Sequence, residues 1–351
     1  MKKVRVGIIG MGGIATHVHV PGLLECPDAQ ITAVCDVDPA RLNEAGDRLK
    51  LPASRRFTDY RALLACPDVD AVEICTPNYL HVPMAADALK AGKSVNIEKP
   101  LALSLAQAKP LIDVPLAPEQ VVMLCFSYRF KSAVRYAKAL IDQGGLGRMT
   151  GLQIAYLKDS ALWPGRKLEW RFEKEKAGTG VLGDLGVHLL DMAQLLAGDI
   201  TRVCARTQIF VSERQRPDGS GIAPVETDDM CSFLAQMANG ADATFTISRC
   251  AYGQKNTILF DVYGTKGSLS FNLNEPDSLW IAGEALAPEQ PELHRVDVPV
   301  EYRASQEATF INAVLGRKAP YFPSLQDGLK SQRLLDAILL SSQESRWIAL
   351  S

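Results

Sequence analysis

The sequence predicts two domains, an α/β domain built on a doubly wound parallel sheet over 1–125 and an α+β domain over 126–351 with a large open, mostly antiparallel sheet. Three observations predict this. Short, continuously apolar runs alternate with amphipathic stretches in the first third of the chain. A glycine-rich turn follows the first of those runs directly. Beyond residue 125 the runs lengthen and take up a period of two.

The apolar runs at 4–9, 31–35, 71–75, 94–97 and 121–125 are rich in Val and Ile, as strands covered on both faces are. Helices are expected between them, over 13–25, 39–50, 59–65, 79–91 and 102–109. Asp38 followed by Pro39, and Asp59, are helix-start signals. Pro110, Pro115 and Pro118 should cut or distort a helix in that stretch. In the second part, 131–142 and 181–196 read as helices. Leu152, Ile154 and Tyr156 share one strand face, as do Ala243, Phe245 and Ile247. The tail from Ser324 to Leu350 reads as a closing helix, with Leu334, Leu335 and Ile338 near helical spacing.

The chain has 351 residues, enough for two cores, with 47% hydrophobic and 22% charged residues. A net charge of -2 and the lack of any long basic run argue against nucleic acid or anionic lipid as a partner. No apolar run reaches the ~18–20 residues that span a bilayer. The eight cysteines are scattered without a C-x-x-C pair, so reduced thiols in a cytoplasmic protein are expected, with no metal.

Gly10-Met11-Gly12-Gly13-Ile14-Ala15 has the form G-x-G-x-x-G/A and opens a helix after the first strand. Gly10 allows the tight turn, Gly12 lets backbone approach a pyrophosphate, and the helix N-terminus offers N–H groups to it. Asp36 ends the second strand, where a carboxylate binds adenosine ribose hydroxyls and repels a 2′-phosphate. NAD is therefore expected over NADP. Thr76-Pro77-Asn78, with His81 just beyond, follows the strand at 71–75, and so lies at the sheet edge where cofactors bind.

Glu98-Lys99-Pro100 ends the strand at 94–97 at the same edge. Pro100 biases Lys99 toward an extended conformation. A lysine there is suited to binding a reacting oxygen or moving its proton. Asp184 and His188 lie four residues apart within the expected helix at 181–196, a spacing that shares a face. A carboxylate beside an imidazole fixes its tautomer and raises its basicity. Taken alone, Asp184 and His188 read more simply as a capping aspartate and a satisfied core histidine, and Lys99 as a surface lysine.

These stretches, together with Cys75-Thr76-Pro77-Asn78, Tyr128-Arg129-Phe130, Trp170-Arg171-Phe172 and Gly183-Asp184-Leu185-Gly186-Val187-His188, resemble the Gfo/Idh/MocA oxidoreductases over nearly the whole length. The resemblance implies an N-terminal Rossmann domain and a C-terminal domain whose open sheet forms a homodimer or homotetramer. It implies that Lys99 is the catalytic lysine, with Asp184 and His188 as partners, and that the Lys99–Pro100 bond is a candidate cis bond. It implies cofactor contacts from the glycine loop, Asp36, Thr76, Pro77, Asn78, His81, Glu98, Lys99 and Arg129. The expected reaction is hydride transfer between a sugar, inositol or related polyol hydroxyl and a nicotinamide, in a cleft between the domains. Trp163, Arg166, Trp170, Arg171 and Tyr252 are candidates to line the substrate pocket, since aromatic faces pack on sugars and arginine donates to hydroxyls or acids. Two alternatives stay open: an NAD-dependent glycosidase of the same fold, and a non-catalytic NAD-binding regulator.

Overall fold

A computed structural model describes residues 3–283 and 292–350. The chain forms two compact units, Met1–Cys125 with Ala304–Leu329, and Phe126–Arg303 with Lys330–Ser351.

The first unit is built on six parallel strands: β1 (Val4–Ile9), β2 (Ala29–Cys35), β3 (Arg56–Phe57), β4 (Ala71–Ile74), β5 (Ser94–Ile97) and β6 (Val122–Leu124). Their order is β3-β2-β1-β4-β5-β6. The order reverses between β1 and β4, and a ligand crevice forms beyond the carboxyl ends at such a reversal. Val6, Ile8, Val72, Ile74, Val95 and Ile97 are wholly buried, which is why these strands read as unbroken apolar runs. Asp38 caps the helix Pro39–Arg48 by accepting the Ala40 N–H at 2.9 Å, and Asp59 caps Tyr60–Leu64 through the Arg61 N–H at 2.9 Å.

Three expectations need correction. The helix placed at 102–109 is instead a short 3₁₀ turn, Ala106–Ala108, followed by the helix Lys109–Ile112. Pro110 stands in the first turn of that helix, where its missing N–H costs nothing. β3 was not anticipated, because two residues carry no readable period. Residues 304–329, placed by sequence with the second domain, pack in the first unit. Phe310 and Ile311 of the helix Gln306–Val314 are fully buried against the core formed by Val6, Ile8 and Leu23.

The second unit carries β7 (Met149–Leu157), β8 (Ile200–Gln208), β9 (Glu213–Gln215), β10 (Ile222–Pro224), β11 (Met230–Met237), β12 (Asp242–Ser248), β13 (Thr257–Gly264), β14 (Ser268–Asn272), β15 (Ser278–Ala282), β16 (His294–Asp297) and β17 (Ile348–Ala349). β9 and β10 pair with each other. The others form one nine-stranded sheet, β16-β15-β14-β13-β7-β12-β11-β8-β17, antiparallel except between β7 and β12. Its register sets Ile154 opposite Phe245 and Phe245 opposite Phe233, and the two phenyl rings stack at 4.2 Å. That face is buried. The opposite face leaves Leu234, Leu259, Tyr263 and Trp280 partly exposed.

The tail helix runs Leu325–Glu344 rather than to residue 350, and Ile348–Ala349 then joins the sheet edge beside β8. The Ser341 and Ser342 hydroxyls accept the N–H groups of Ala205 and Thr207. The stretch Lys174–Ala197 is long and apolar enough to cross a membrane, yet its most apolar 18-residue window is 83% buried inside the protein, as a core helix is. All eight cysteines are free thiols.

Candidate active site

In the first unit the strand ends carry the candidate residues. Gly10 has φ +91°, and a Cβ there would stand 2.6 Å from the Cys75 carbonyl oxygen, so no side chain fits. Nothing lies within 4 Å of where a Gly12 Cβ would be, so the backbone there is open to a ligand. A wider, π-helical turn, Ala15–His19, follows. Asp36 is buried, and its carboxylate accepts the Met11 N–H at 2.7 Å and the Asp38 N–H at 2.8 Å. Each oxygen keeps a further lone pair for a ribose hydroxyl.

Asn78 and Glu98 are also buried, while Thr76 and Pro77 are partly exposed. His81 is buried with Nδ1 2.8 Å from the Pro100 carbonyl oxygen and Nε2 2.9 Å from that of Thr76. Its burial lowers the basicity of the ring, against the pull of those two carbonyls. The Lys99–Pro100 peptide is cis. Glu98, which the resemblance assigns to the cofactor, turns Oε1 to His19 Nε2 at 2.9 Å and accepts the Lys99 N–H on Oε2 at 3.2 Å.

In the second unit, Asp184 lies on a π-helical turn, Leu182–Gly186, and His188 on the helix that continues from it, Val187–Ala197. Such turns concentrate at functional sites. Asp184 pairs with Arg249 Nη2 at 2.6 Å. His188 meets the Tyr128 ring edge-on at 4.6 Å, and the Tyr128 hydroxyl bonds that of Tyr156 at 2.8 Å, which in turn donates to Asn256. Arg129 carries its guanidinium against Asp191, with Nε 2.8 and 3.0 Å from the two carboxylate oxygens; both side chains are buried. Its charge is thus answered inside the second unit.

Sequence reasoning missed Arg249 and Asp228. Arg249 lies just past β12 and is among the largest fully buried side chains. Asp228 accepts the N–H groups of Gly180 at 2.6 Å and Leu182 at 2.9 Å, capping the turn that carries Asp184. Burial pushes its carboxyl above the usual range, against these two bonds and Arg249. A Cβ on Gly180 would stand 1.9 Å from the Asp228 carbonyl oxygen. The polar run Thr227-Asp228-Asp229 between apolar strands was the available signal; all three are buried.

Of the pocket candidates, Trp163 is half exposed and donates its indole N–H to Asp159 at 2.8 Å, and Arg166 pairs with Glu169 at 3.0 Å. Both line an open depression of about 400 Å³ with Leu162, Arg214 and Gln215. The Arg171 guanidinium lies over the Trp170 ring at 4.4 Å. Tyr252 is 89% exposed on a surface turn.

Two family models match the chain: the oxidoreductase family with NAD-binding Rossmann fold over residues 4–126, and the GFO/IDH/MocA C-terminal domain over 134–270. The chain belongs to the GFO/IDH/MocA oxidoreductase family. Among its relatives, levoglucosan dehydrogenase of Pseudarthrobacter phenanthrenivorans is 32% identical over 80% of this chain and 77% of that protein. Inositol 2-dehydrogenase of Rhizobium meliloti is 28% identical over 99% of each chain. The solved structure of levoglucosan dehydrogenase in complex with NADH and levoglucosan superposes with TM-score 0.91 at 30% identity, covering each chain fully.

NAD is the cofactor of this family member, and the first unit fits it. The open backbone at Gly12 and the following helix start, which no side chain caps, suit a pyrophosphate, and the Asp36 carboxylate suits an unphosphorylated ribose.

Proposed function

We propose that the protein oxidises a hydroxyl of a sugar, inositol or related polyol with NAD, or runs the reverse reduction. The observation that carries this reading is one combination: an NAD cradle complete from Gly10 to Asp36, with Lys99 at the end of the neighbouring strand β5, in a chain similar throughout to named sugar and polyol dehydrogenases.

When bound, NAD accepts or returns the hydride. The protein's own groups handle the proton. Lys99 Nζ holds the reacting oxygen and stabilises charge as it develops there. His188 receives the hydroxyl proton, a task suited to an imidazole at neutral pH. Asp184 supports His188 by countering the imidazolium charge, and Arg249 holds Asp184. Trp163 and Arg166 take part in substrate recognition, the indole on an apolar sugar face and the guanidinium toward hydroxyls.

We place the protein in the cytoplasm, where its eight free thiols stay reduced. We further assign the open face of the large sheet, with Leu234, Leu259 and Trp280, to self-association. Light scattering of the purified protein should then give a dimer or tetramer; a monomer would remove that assignment.

An NADH-fluorescence screen of the purified protein against sugars, polyols, sugar acids and an aryl glycoside tests the main reading. Net NADH formation on a free sugar or polyol is the expected result. Release of the phenol without NADH would replace it with a glycosidase, and NAD binding with no turnover on any compound with a regulator.

A further inference from the structure

Beneath β4 and β5 the first unit buries an unusual set of polar side chains. His19, on the π-helical turn after the glycine loop, is 0% exposed. Its Nε2 lies 2.9 Å from Glu98 Oε1 and its Nδ1 3.1 Å from Glu73 Oε2. Glu73, in the middle of β4, is also 0% exposed, and Asn96 on β5 donates to its Oε2 at 2.7 Å. A third carboxylate, Glu307, stands 3.9 Å from His19 Nδ1. Polar groups so deeply buried cost stability unless each is answered, so a core holding them here needs a reason.

The reason lies in what Glu98 does with its other oxygen. Oε2 accepts the backbone N–H of Lys99 at 3.2 Å. One carboxylate therefore ties the imidazole of His19 to the peptide of Lys99. On the far side of that lysine, the Pro100 carbonyl oxygen lies 2.8 Å from Nδ1 of the buried His81. The dipeptide Lys99–Pro100 is thus bracketed by two buried histidines anchored on separate helical segments, His19 in Ala15–His19 and His81 in His81–Lys90. His19 belongs to the turn that follows the glycine loop, so the loop and the lysine are tied to one helical segment.

We propose that His19 is a positioning residue for Lys99, acting through Glu98. Glu98, in this account, serves the lysine rather than the cofactor. The inference rests on Lys99 being catalytic, as proposed above. Misplacing a reacting group by about 1 Å costs on the order of 10²-fold in rate. Loss of the His19 bond should therefore appear in kcat while leaving NAD affinity nearly unchanged.

The test uses the full-length protein with a substrate found in the screen. His19→Leu keeps bulk and removes the N–H; His19→Gln keeps an N–H close to the Nε2 position. His19→Leu should lower kcat by about 10–100-fold, with the NADH Kd from fluorescence within about threefold of the parent. His19→Gln should recover most of the loss. In a Lys99→Ala background, His19→Leu should cost nothing further, because the group it positions is gone. Should His19→Leu fail to fold, Glu98→Gln keeps the shape and weakens the acceptor; it should lower kcat and spare NADH affinity. An unchanged kcat in His19→Leu, an equal loss in the Lys99→Ala background, or a Glu98→Gln defect confined to NADH affinity would overturn the proposal. Full turnover by Lys99→Ala alone would instead overturn the reading on which it rests.

Discussion

The two units carry their candidate residues in different ways. In the first, they stand at the carboxyl ends of parallel strands: Gly10 after β1, Asp36 after β2, Thr76 after β4 and Lys99 after β5. In the second, they stand on a π-helical turn and its continuing helix, Asp184 and His188, fixed by partners remote in sequence, Arg249 and Tyr128. A parallel sheet converts strand ends into a common edge, so each residue's place follows from local pattern. A helix turn has no such built-in convergence and must be held by groups that the chain brings from elsewhere. The contrast teaches that perturbing the first unit's site should mainly change catalysis and cofactor choice, whereas perturbing the second's should also cost stability.

Several substitutions sharpen or break that contrast. Lys99→Ala should lower kcat by about 10²–10³-fold with NADH affinity retained; steady-state kinetics and fluorescence titration check both halves. Arg129→Met should be the large effect in the second unit, since it takes a buried guanidinium away from the buried Asp191 carboxylate. About 3–5 kcal/mol of stability should be lost in urea unfolding. A loss equal to that of an ordinary surface substitution would erase the distinction. Gly180→Ala forces a methyl against the Asp228 carbonyl and should displace the turn bearing Asp184. A cost of roughly 1–3 kcal/mol is expected, together with a fall in kcat. Asp36→Ala should cost about 1–3 kcal/mol through the two N–H bonds its buried carboxylate accepts, and shift the ratio of kcat/KM for NADP over NAD upward by about tenfold or more.

The smallest effect concerns pH. Burial works against charging His19, yet its pKa is raised well above 6.5, and Glu73, 3.1 Å from Nδ1, is the charge that favours the protonated ring. Burial pushes the facing Cys75 and Cys125 thiols up, Cys125 furthest, so they stay neutral. A histidine raised in this way adds stability that is complete below its unfolded pKa and fades as pH climbs through the higher folded value. The difference in melting temperature between the parent and His19→Leu should be widest near pH 6 and narrow steadily toward alkaline pH. A difference that widened with pH would contradict the assignment of a charged His19.

How far the sequence spoke follows the same division. The glycine turn, Asp36 and five of the six parallel strands were legible, because strands covered on both faces need unbroken apolar runs and the turn needs glycine at Gly10. The nine-stranded sheet showed itself in the alternation of Leu152, Ile154 and Tyr156. What was not legible depends on long-range pairing. Nothing near Arg249 announces a partner 65 positions away. Nor does anything local reveal that Glu98 faces His19 or that Arg129 is spent on Asp191. The return of residues 304–329 to the first unit was equally hidden, because an amphipathic helix does not say which core it covers.

The central claim is that hydride passes directly between a carbohydrate carbon and the nicotinamide. It is tested most directly with the substrate found in the screen, deuterated at the reacting carbon, and mass spectrometry of the cofactor after one turnover. The account predicts one deuterium in each NADH formed and a slowed single-turnover rate. Unlabelled NADH, or deuterium lost to water with no net reduction of NAD, would contradict it.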